Sequence, residues 1–165
     1  MKTIQEAYIV AATRTPIGKA PRGMFRHMRP DDLLVRVLQS ALSQVPSLDP
    51  NTIEDAIVGC SFPEGEQGLN VARMAVLLAG LPKTVGGATV NRYCASGITA
   101  IAMAADRIRS GEADVMIAAG VESMSMIPMM GHHPSLNMNV FKDENIGMAY
   151  GMGLTAERVA TQWKV

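Results

Sequence analysis

The sequence carries no surplus of charge, few cysteines, no metal-binding spacing and no long apolar run, and each shortage removes a class of function. Fifteen Lys and Arg are matched by 15 Asp and Glu in 165 residues. No net field draws the chain to nucleic acid or to an acidic membrane surface. Cys60 and Cys94 are the only two cysteines. Without a secretion signal they read as free thiols of a reducing compartment, and no C-x-x-C or His-x-His spacing offers a metal cage. His132 and His133 are adjacent in a Met- and Pro-rich stretch, where neighbouring residues rarely face one ligand, so they read as solvated loop histidines. Met1-Lys2-Thr3-Ile4-Gln5-Glu6 is too polar to begin a secretory signal, and no apolar run is long enough to cross a bilayer. The expectation is a cytoplasmic protein with no membrane span and no bound metal.

What is present is ordinary globular material, 48% hydrophobic and 18% charged, enough for a sizeable core. Ala7-Tyr8-Ile9-Val10-Ala11-Ala12 reads as a first strand, short and apolar like a buried parallel strand, ended by Pro16 and Gly18. Asp31 and Asp32 follow Pro30 at a helix start, and residues 34, 37, 38, 41 and 42 mark its buried face. Ile53 to Cys60 reads as helix or turn leading into a second strand that ends near Gly59-Cys60, with Cys60 in the core. The polar, glycine-bearing loop Pro63–Gly68 feeds a helix from Asn70, its cap, to Gly80 and Pro82, with Arg73 in a surface pair. Ala88-Thr89-Val90 has strand character, a small-residue helix runs from Gly97 to Ile108, and Ala113 to Val121 reads as a strand apolar on both faces. Alternating strands and helices of this kind predict an α/β fold with a mostly parallel sheet between helix layers.

Cys94 stands where a strand hands over to that last helix. Backbone N–H groups at a helix start lack intrahelical partners, and the summed peptide dipoles favour negative charge there, so a thiol so placed is biased toward the thiolate that attacks carbonyls. The helix has almost no polar face before Asp106, the pattern of a helix covered on nearly all sides. A free Cys is also a common inert core residue. The surrounding residues decide between the two readings.

Val90-Asn91-Arg92-Tyr93-Cys94-Ala95-Ser96-Gly97-Ile98, continuing to Ala100-Ile101, resembles the signature around the acyl-accepting cysteine of the thiolase family. Arg14-Thr15-Pro16-Ile17-Gly18-Lys19 is similar to the loop after that family's first strand. Gly68-Leu69-Asn70-Val71-Ala72-Arg73 with Ala79-Gly80-Leu81-Pro82, and Gly120-Val121-Glu122-Ser123-Met124-Ser125-Met126-Ile127-Pro128, match further thiolase segments in order. Met152-Gly153-Leu154-Thr155-Ala156-Glu157 resembles the segment whose Met borders the substrate channel. The many methionines after Met126 suit either irregular packing or a lining for a flexible acyl or pantetheine chain. The glycines at 147, 151 and 153 make no dinucleotide loop, since no strand leads directly into them.

The resemblance implies a thiolase-like N-terminal α/β domain over residues 1–121 and the beginning of an inserted loop domain over 122–165, with a helix opening at Thr155. It implies Cys94 as the catalytic nucleophile, Met152 as a substrate-binding residue, and coenzyme A as co-substrate with no bound cofactor. The reaction implied is thiolytic cleavage of a 3-ketoacyl-CoA to acyl-CoA and acetyl-CoA, as in fatty-acid β-oxidation, by a homodimer or homotetramer. Acetoacetyl-CoA formation by the reverse reaction is the alternative direction, and a ketosynthase is the neighbouring alternative within the superfamily. The family's histidine in a Gly-His-Pro context and its second cysteine in a Cys-x-Gly-Gly turn are not in these 165 residues. The isolated chain is therefore expected to be nearly inactive and poorly behaved in solution, or to be a non-catalytic binding or assembly fragment. A cysteine redox role is disfavoured because no second Cys stands at a resolving spacing.

Overall fold

Pro30, whose fixed φ suits the first helical position, and the acidic pair Asp31 and Asp32, which complement the helix dipole, start helix α1, Pro30–Ser43. This computed structural model describes residues 4–165. Leu34 and Leu38, four residues apart on α1, are fully buried, while Val37, Ala41 and Leu42 of the expected face are half-buried. Strand β1, Asp55–Gly59, follows, and then helix α2, Val71–Leu78, capped by the Asn70 side chain, which accepts from the Arg73 backbone N–H. Strand β2 is Ala88–Val90, helix α3 is Ser96–Arg109 and strand β3 is Met116–Gly120.

The three strands form one parallel sheet in the order β2-β1-β3. In it Ile57 of β1 faces Ala88 on one side and Ala118 on the other. Side chains of β1 alternate between the two faces of this sheet. Val58 packs with Leu34, Leu38, Val71, Ala72 and Ala75 of α1 and α2, and Ala56 joins Ile53, Val76, Leu81 and Val85 on that side. Ile57 packs with Ala100 and Ala104 of α3 on the other. The α/β layering expected from the sequence is therefore present, with β1 at its centre.

Four local expectations are corrected. Residues 7–12 form no strand: Tyr8, Ile9 and Val10 are about three-quarters exposed. The segment is tethered by Gln5 N–H to the Arg109 carbonyl at 3.1 Å and by the Gln44 side chain, which exchanges two hydrogen bonds with Ala12 at 3.3 Å. Its composition favours a strand, but among the described residues no strand pairs with it, and an extended segment becomes a strand only by pairing. Helix α3 is covered along one stripe only. Ser96, Ala100 and Ala104, at four-residue spacing, are buried, while Ile98, Ile101 and Met103 are exposed. On β3, expected to be buried on both faces, Ala118 and Gly120 are exposed. Among the described residues Arg73 has no ion-pair partner; its guanidinium donates to the Val85 carbonyl and, at 2.9 Å, to that of Lys83, pinning the loop before β2.

The chain divides into two compact units, Met1–His132 and His133–Val165. Ser123 and Ile127 are buried within the first unit. The second unit holds two 3-10 turns, Met138–Phe141 and Ile146–Ala149, and helix α4, Met152–Trp163. Helix α4 starts three residues earlier than the sequence suggests. Gly151 is its cap residue, and the Thr155 hydroxyl donates back to the Gly151 carbonyl at 3.2 Å. Within this unit the Arg158 guanidinium lies over the Tyr150 ring, 5.2 Å from its centroid. Among the described residues no helix is long and apolar enough to cross a membrane.

Candidate active site

Five residues, 91 to 95, turn the chain from β2 into α3, and their geometry is held by two polar side chains. The Asn91 side chain accepts from the Tyr93 N–H at 2.9 Å and donates to the Ser61 carbonyl at 2.8 Å. Ser96, 4% exposed, donates through its hydroxyl to the Tyr93 carbonyl at 2.6 Å and accepts from the Arg92 N–H at 2.8 Å. Between them Tyr93 adopts φ +47°. For a bulky side chain that left-handed conformation costs on the order of 1–3 kcal/mol, so the surrounding hydrogen bonds must over-determine it. The next residue is Cys94, exposed, with Ala95 as the cap of α3 after it.

The turn sits where the strands end. Cys60 N–H donates to the Val90 carbonyl and Val121 N–H to the Gly59 carbonyl, both at 3.0 Å, so the ladder runs on past the three strands. Ligands of open parallel sheets bind beyond the carboxyl ends of the strands, and Cys94 stands at that end. Gly59 lets α3 come this close: a Cβ there would lie 2.4 Å from the Ser96 carbonyl carbon and 2.6 Å from the Gly97 nitrogen. Gly97, by contrast, has nothing within 4 Å of the position its Cβ would take. The close approach belongs to the strand glycine and not to the helix glycine.

Beside the turn lies a polar cluster that sequence reasoning quotes only as parts of motifs. Gln67, in the 3-10 turn Gly65–Gln67, is fully buried. Its amide donates to the Phe62 carbonyl at 2.9 Å and to the Glu122 carboxylate, and its oxygen accepts from the Ser123 N–H at 3.0 Å. The other Glu122 oxygen accepts from the Ser61 N–H at 2.7 Å. A Gln in a Gly-rich loop gives no sign of burial until its partners are known. Phe62 meets the Tyr93 ring edge-on, centroids 6.1 Å apart. Ser61, Phe62, Pro63, Glu64, Asn91, Tyr93, Met130 and Gly131 line a cleft of about 310 Å³ next to the turn. His132 and His133 are exposed, and it is the His132 backbone N–H, not its ring, that is used here, donating to Glu64.

The two cysteines are chemically unlike. Cys60 is buried, and burial, aided by the Glu122 carboxylate, pushes its thiol up from 9.0 to about 12. An alkylating reagent at pH 8 is therefore expected to label one thiol per folded chain, at Cys94, and both after denaturation, as peptide mass mapping would read. The raised Cys60 value has a linkage consequence. Well below pH 9 the thiol is protonated folded or unfolded and leaves stability independent of pH. As pH rises from about 9 toward about 12 the unfolded chain releases the proton first, so stability falls over that window. Met152, the other residue singled out from sequence, belongs to the second unit, in the first turn of α4, and is 69% exposed.

The central strand of the parallel sheet thus ends under a strained, hydrogen-bonded turn that bears an exposed cysteine. A family model described as "Thiolase, N-terminal domain" matches residues 7–165, and the chain belongs to the thiolase family. It is 46% identical over 162 residues to the 3-ketoacyl-CoA thiolase of Bacillus subtilis (strain 168), covering 98% of this chain and 41% of that protein. It is 44% identical over 163 residues to the 3-ketoacyl-CoA thiolase of Colwellia psychrerythraea (strain 34H / ATCC BAA-681), covering 96% and 41%. The fold is similar to that of the Bacillus anthracis acetyl-CoA acetyltransferase, with a TM-score of 0.79 at 31% identity over 100% of this chain and 44% of that one. The chain thus spans about two fifths of the length of the relatives it matches.

Proposed function

We propose that these residues form the nucleophile-bearing part of a thiolytic acyltransferase that cleaves 3-ketoacyl-CoA with free CoA. The observation that supports this most directly is the placement of Cys94: exposed, at the carboxyl end of a parallel sheet, on a turn fixed by Asn91 and Ser96. In the proposed first half-reaction the Cys94 thiolate attacks the 3-keto carbon, and the bond between carbons 2 and 3 breaks. Acetyl-CoA leaves as its enolate and takes a proton at carbon 2, while the acyl group stays on Cys94 as a thioester. In the second, the CoA thiolate attacks that thioester, acyl-CoA departs and the cysteine is regenerated. Donors must hold the developing oxyanion, and the start of α3 beside Cys94 contributes a field of the right sign.

Coenzyme A enters this scheme as co-substrate, with no bound metal required. We assign Met152 to the wall of the acyl or pantetheine channel, supported by its exposure at the start of α4. The degradative direction, as in β-oxidation, is supported by relatives named 3-ketoacyl-CoA thiolase. A second reading, condensation of two acetyl-CoA molecules, is favoured by the similarity to a protein named acetyl-CoA acetyltransferase. The exposed apolar groups at Tyr8, Ile9, Val10, Ile98 and Ile101 support further protein covering this unit, in a longer chain and in a homodimer or homotetramer.

The test is turnover of acetoacetyl-CoA with free CoA by the full-length polypeptide that carries these residues. Two acetyl-CoA are expected for each acetoacetyl-CoA consumed. The 165-residue chain alone is expected to be at least about a hundredfold slower, since an acid, a base or an oxyanion donor each contributes about that much. Absence of thiolysis in the full-length protein, or condensation of malonyl units instead, contradicts the proposal.

A further inference from the structure

We propose that Glu122 is a positioning residue for the acyl-transfer step: its carboxylate fixes the segment after β1, and that segment fixes the turn that carries Cys94. The inference rests on the assignment of Cys94 as nucleophile and adds to it the device that holds the sulfur in place.

The path is a continuous run of hydrogen bonds between three segments distant in sequence. Glu122 follows β3, and one of its oxygens accepts from the Ser61 N–H at 2.7 Å. The carbonyl of the same Ser61 accepts from the Asn91 amide at 2.8 Å, and the Asn91 oxygen accepts from the Tyr93 N–H at 2.9 Å. Tyr93 is the residue with φ +47°, one bond before Cys94. The other Glu122 oxygen accepts from Gln67. Gln67 is fully buried and satisfied on both sides, by the Phe62 carbonyl and the Ser123 N–H. The carboxylate is thereby clamped from two directions although the residue stays at the surface.

The donor inventory argues that an acid, and not an amide, is needed here. The groups facing the two oxygens, the Ser61 N–H, the Gln67 amide and, at 4.0 Å, the Cys60 thiol, are all donors. Glutamine at 122 offers one oxygen and one NH₂, so one donor meets a donor and the clamp loses a bond. Charge-assisted bonds from N–H to carboxylate are also about twice as strong as neutral ones. Freed from its anchor, Ser61 no longer orients Asn91, and only the Ser96 hydroxyl is left to hold Tyr93 at positive φ, which loosens the placement of the Cys94 sulfur. Misplacement of a reacting atom by about 1 Å costs on the order of a hundredfold in rate.

The experiment is a double-mutant cycle in the full-length protein with Glu122→Gln, Asn91→Ala and both together. It reads kcat and KM for acetoacetyl-CoA thiolysis, the thermal midpoint, and hydrogen exchange of the peptide spanning residues 91–97. Glu122→Gln is expected to lower kcat about tenfold with KM within about twofold, and to speed exchange of that peptide. In the Asn91→Ala background it is expected to lower kcat by no more than about a further twofold, because both act through the same turn. A folded Glu122→Gln protein with kcat and exchange unchanged overturns the proposal, as does full multiplication of the two effects on kcat. Mass mapping of the wild-type acyl-enzyme separates the two levels. An acyl group found elsewhere than on Cys94 overturns the nucleophile assignment and this proposal with it, whereas a Cys94 adduct with an unaffected Glu122→Gln variant overturns this proposal alone.

Discussion

Gly59→Ala is expected to cost the fold about 1–3 kcal/mol, in the range of an overpacked core, and to lower thiolysis by about a hundredfold through displacement of the cysteine turn. The added Cβ would sit 2.4 Å from the Ser96 carbonyl carbon and 2.6 Å from both the Ser96 oxygen and the Gly97 nitrogen. All three are backbone atoms, so no rotamer change relieves the clash. Helix α3 must retreat from β1, and it takes with it the Ser96 hydroxyl that ties Arg92 and Tyr93. Gly120→Ala is the internal comparison, since a Cβ there meets its nearest atoms at 3.6 and 3.9 Å, ordinary contact distance. Denaturation midpoints and kcat for both variants check the argument. Equal effects at the two glycines, or none at Gly59, contradict it.

Cys94→Ala is expected to lower kcat by on the order of 10⁴-fold or more, as loss of an enzyme's nucleophile does, while shifting stability by no more than about 0.5 kcal/mol because the side chain is exposed. The opposite pattern is expected at Cys60, whose buried thiol is part of the Val58, Leu34 and Leu38 core. Loss of activity at Cys94 accompanied by a large drop in the thermal midpoint is the result that would count against a chemical role, since it would make the sulfur a packing element.

The α/β layering was legible in the sequence because its signals are local. Proline and two acids open α1, Asn70 caps α2, and the β1 stretch is apolar on both faces, as the buried centre of a parallel sheet requires. Residues 7–12 carry an apolar run like that of β1, yet pairing decides what becomes a strand, and pairing is not written in six residues. The all-round apolar pattern of α3 reads as complete burial. The sheet supplies cover along the Ser96, Ala100 and Ala104 stripe, and the pattern records what the helix requires rather than what this unit provides. Cys94 was legible from its neighbours, which match a known signature over many positions. The groups that hold it were less so: Gln67, Ser61, Asn91 and Glu122 converge from three segments, and only tertiary contacts reveal that a loop glutamine is buried and that a carboxylate faces two donors.

In the proposed reaction one sulfur, held at the end of the sheet by a fixed turn, carries the acyl group between two CoA molecules. The full-length protein is quenched during turnover of acetoacetyl-CoA, and the peptide that contains residue 94 is mapped by mass. An acetyl group on Cys94 that forms as the first acetyl-CoA is released, disappears on addition of free CoA and is absent from Cys94→Ala is the predicted result. Turnover with residue 94 unmodified throughout, or with the acyl group on Cys60, would contradict it.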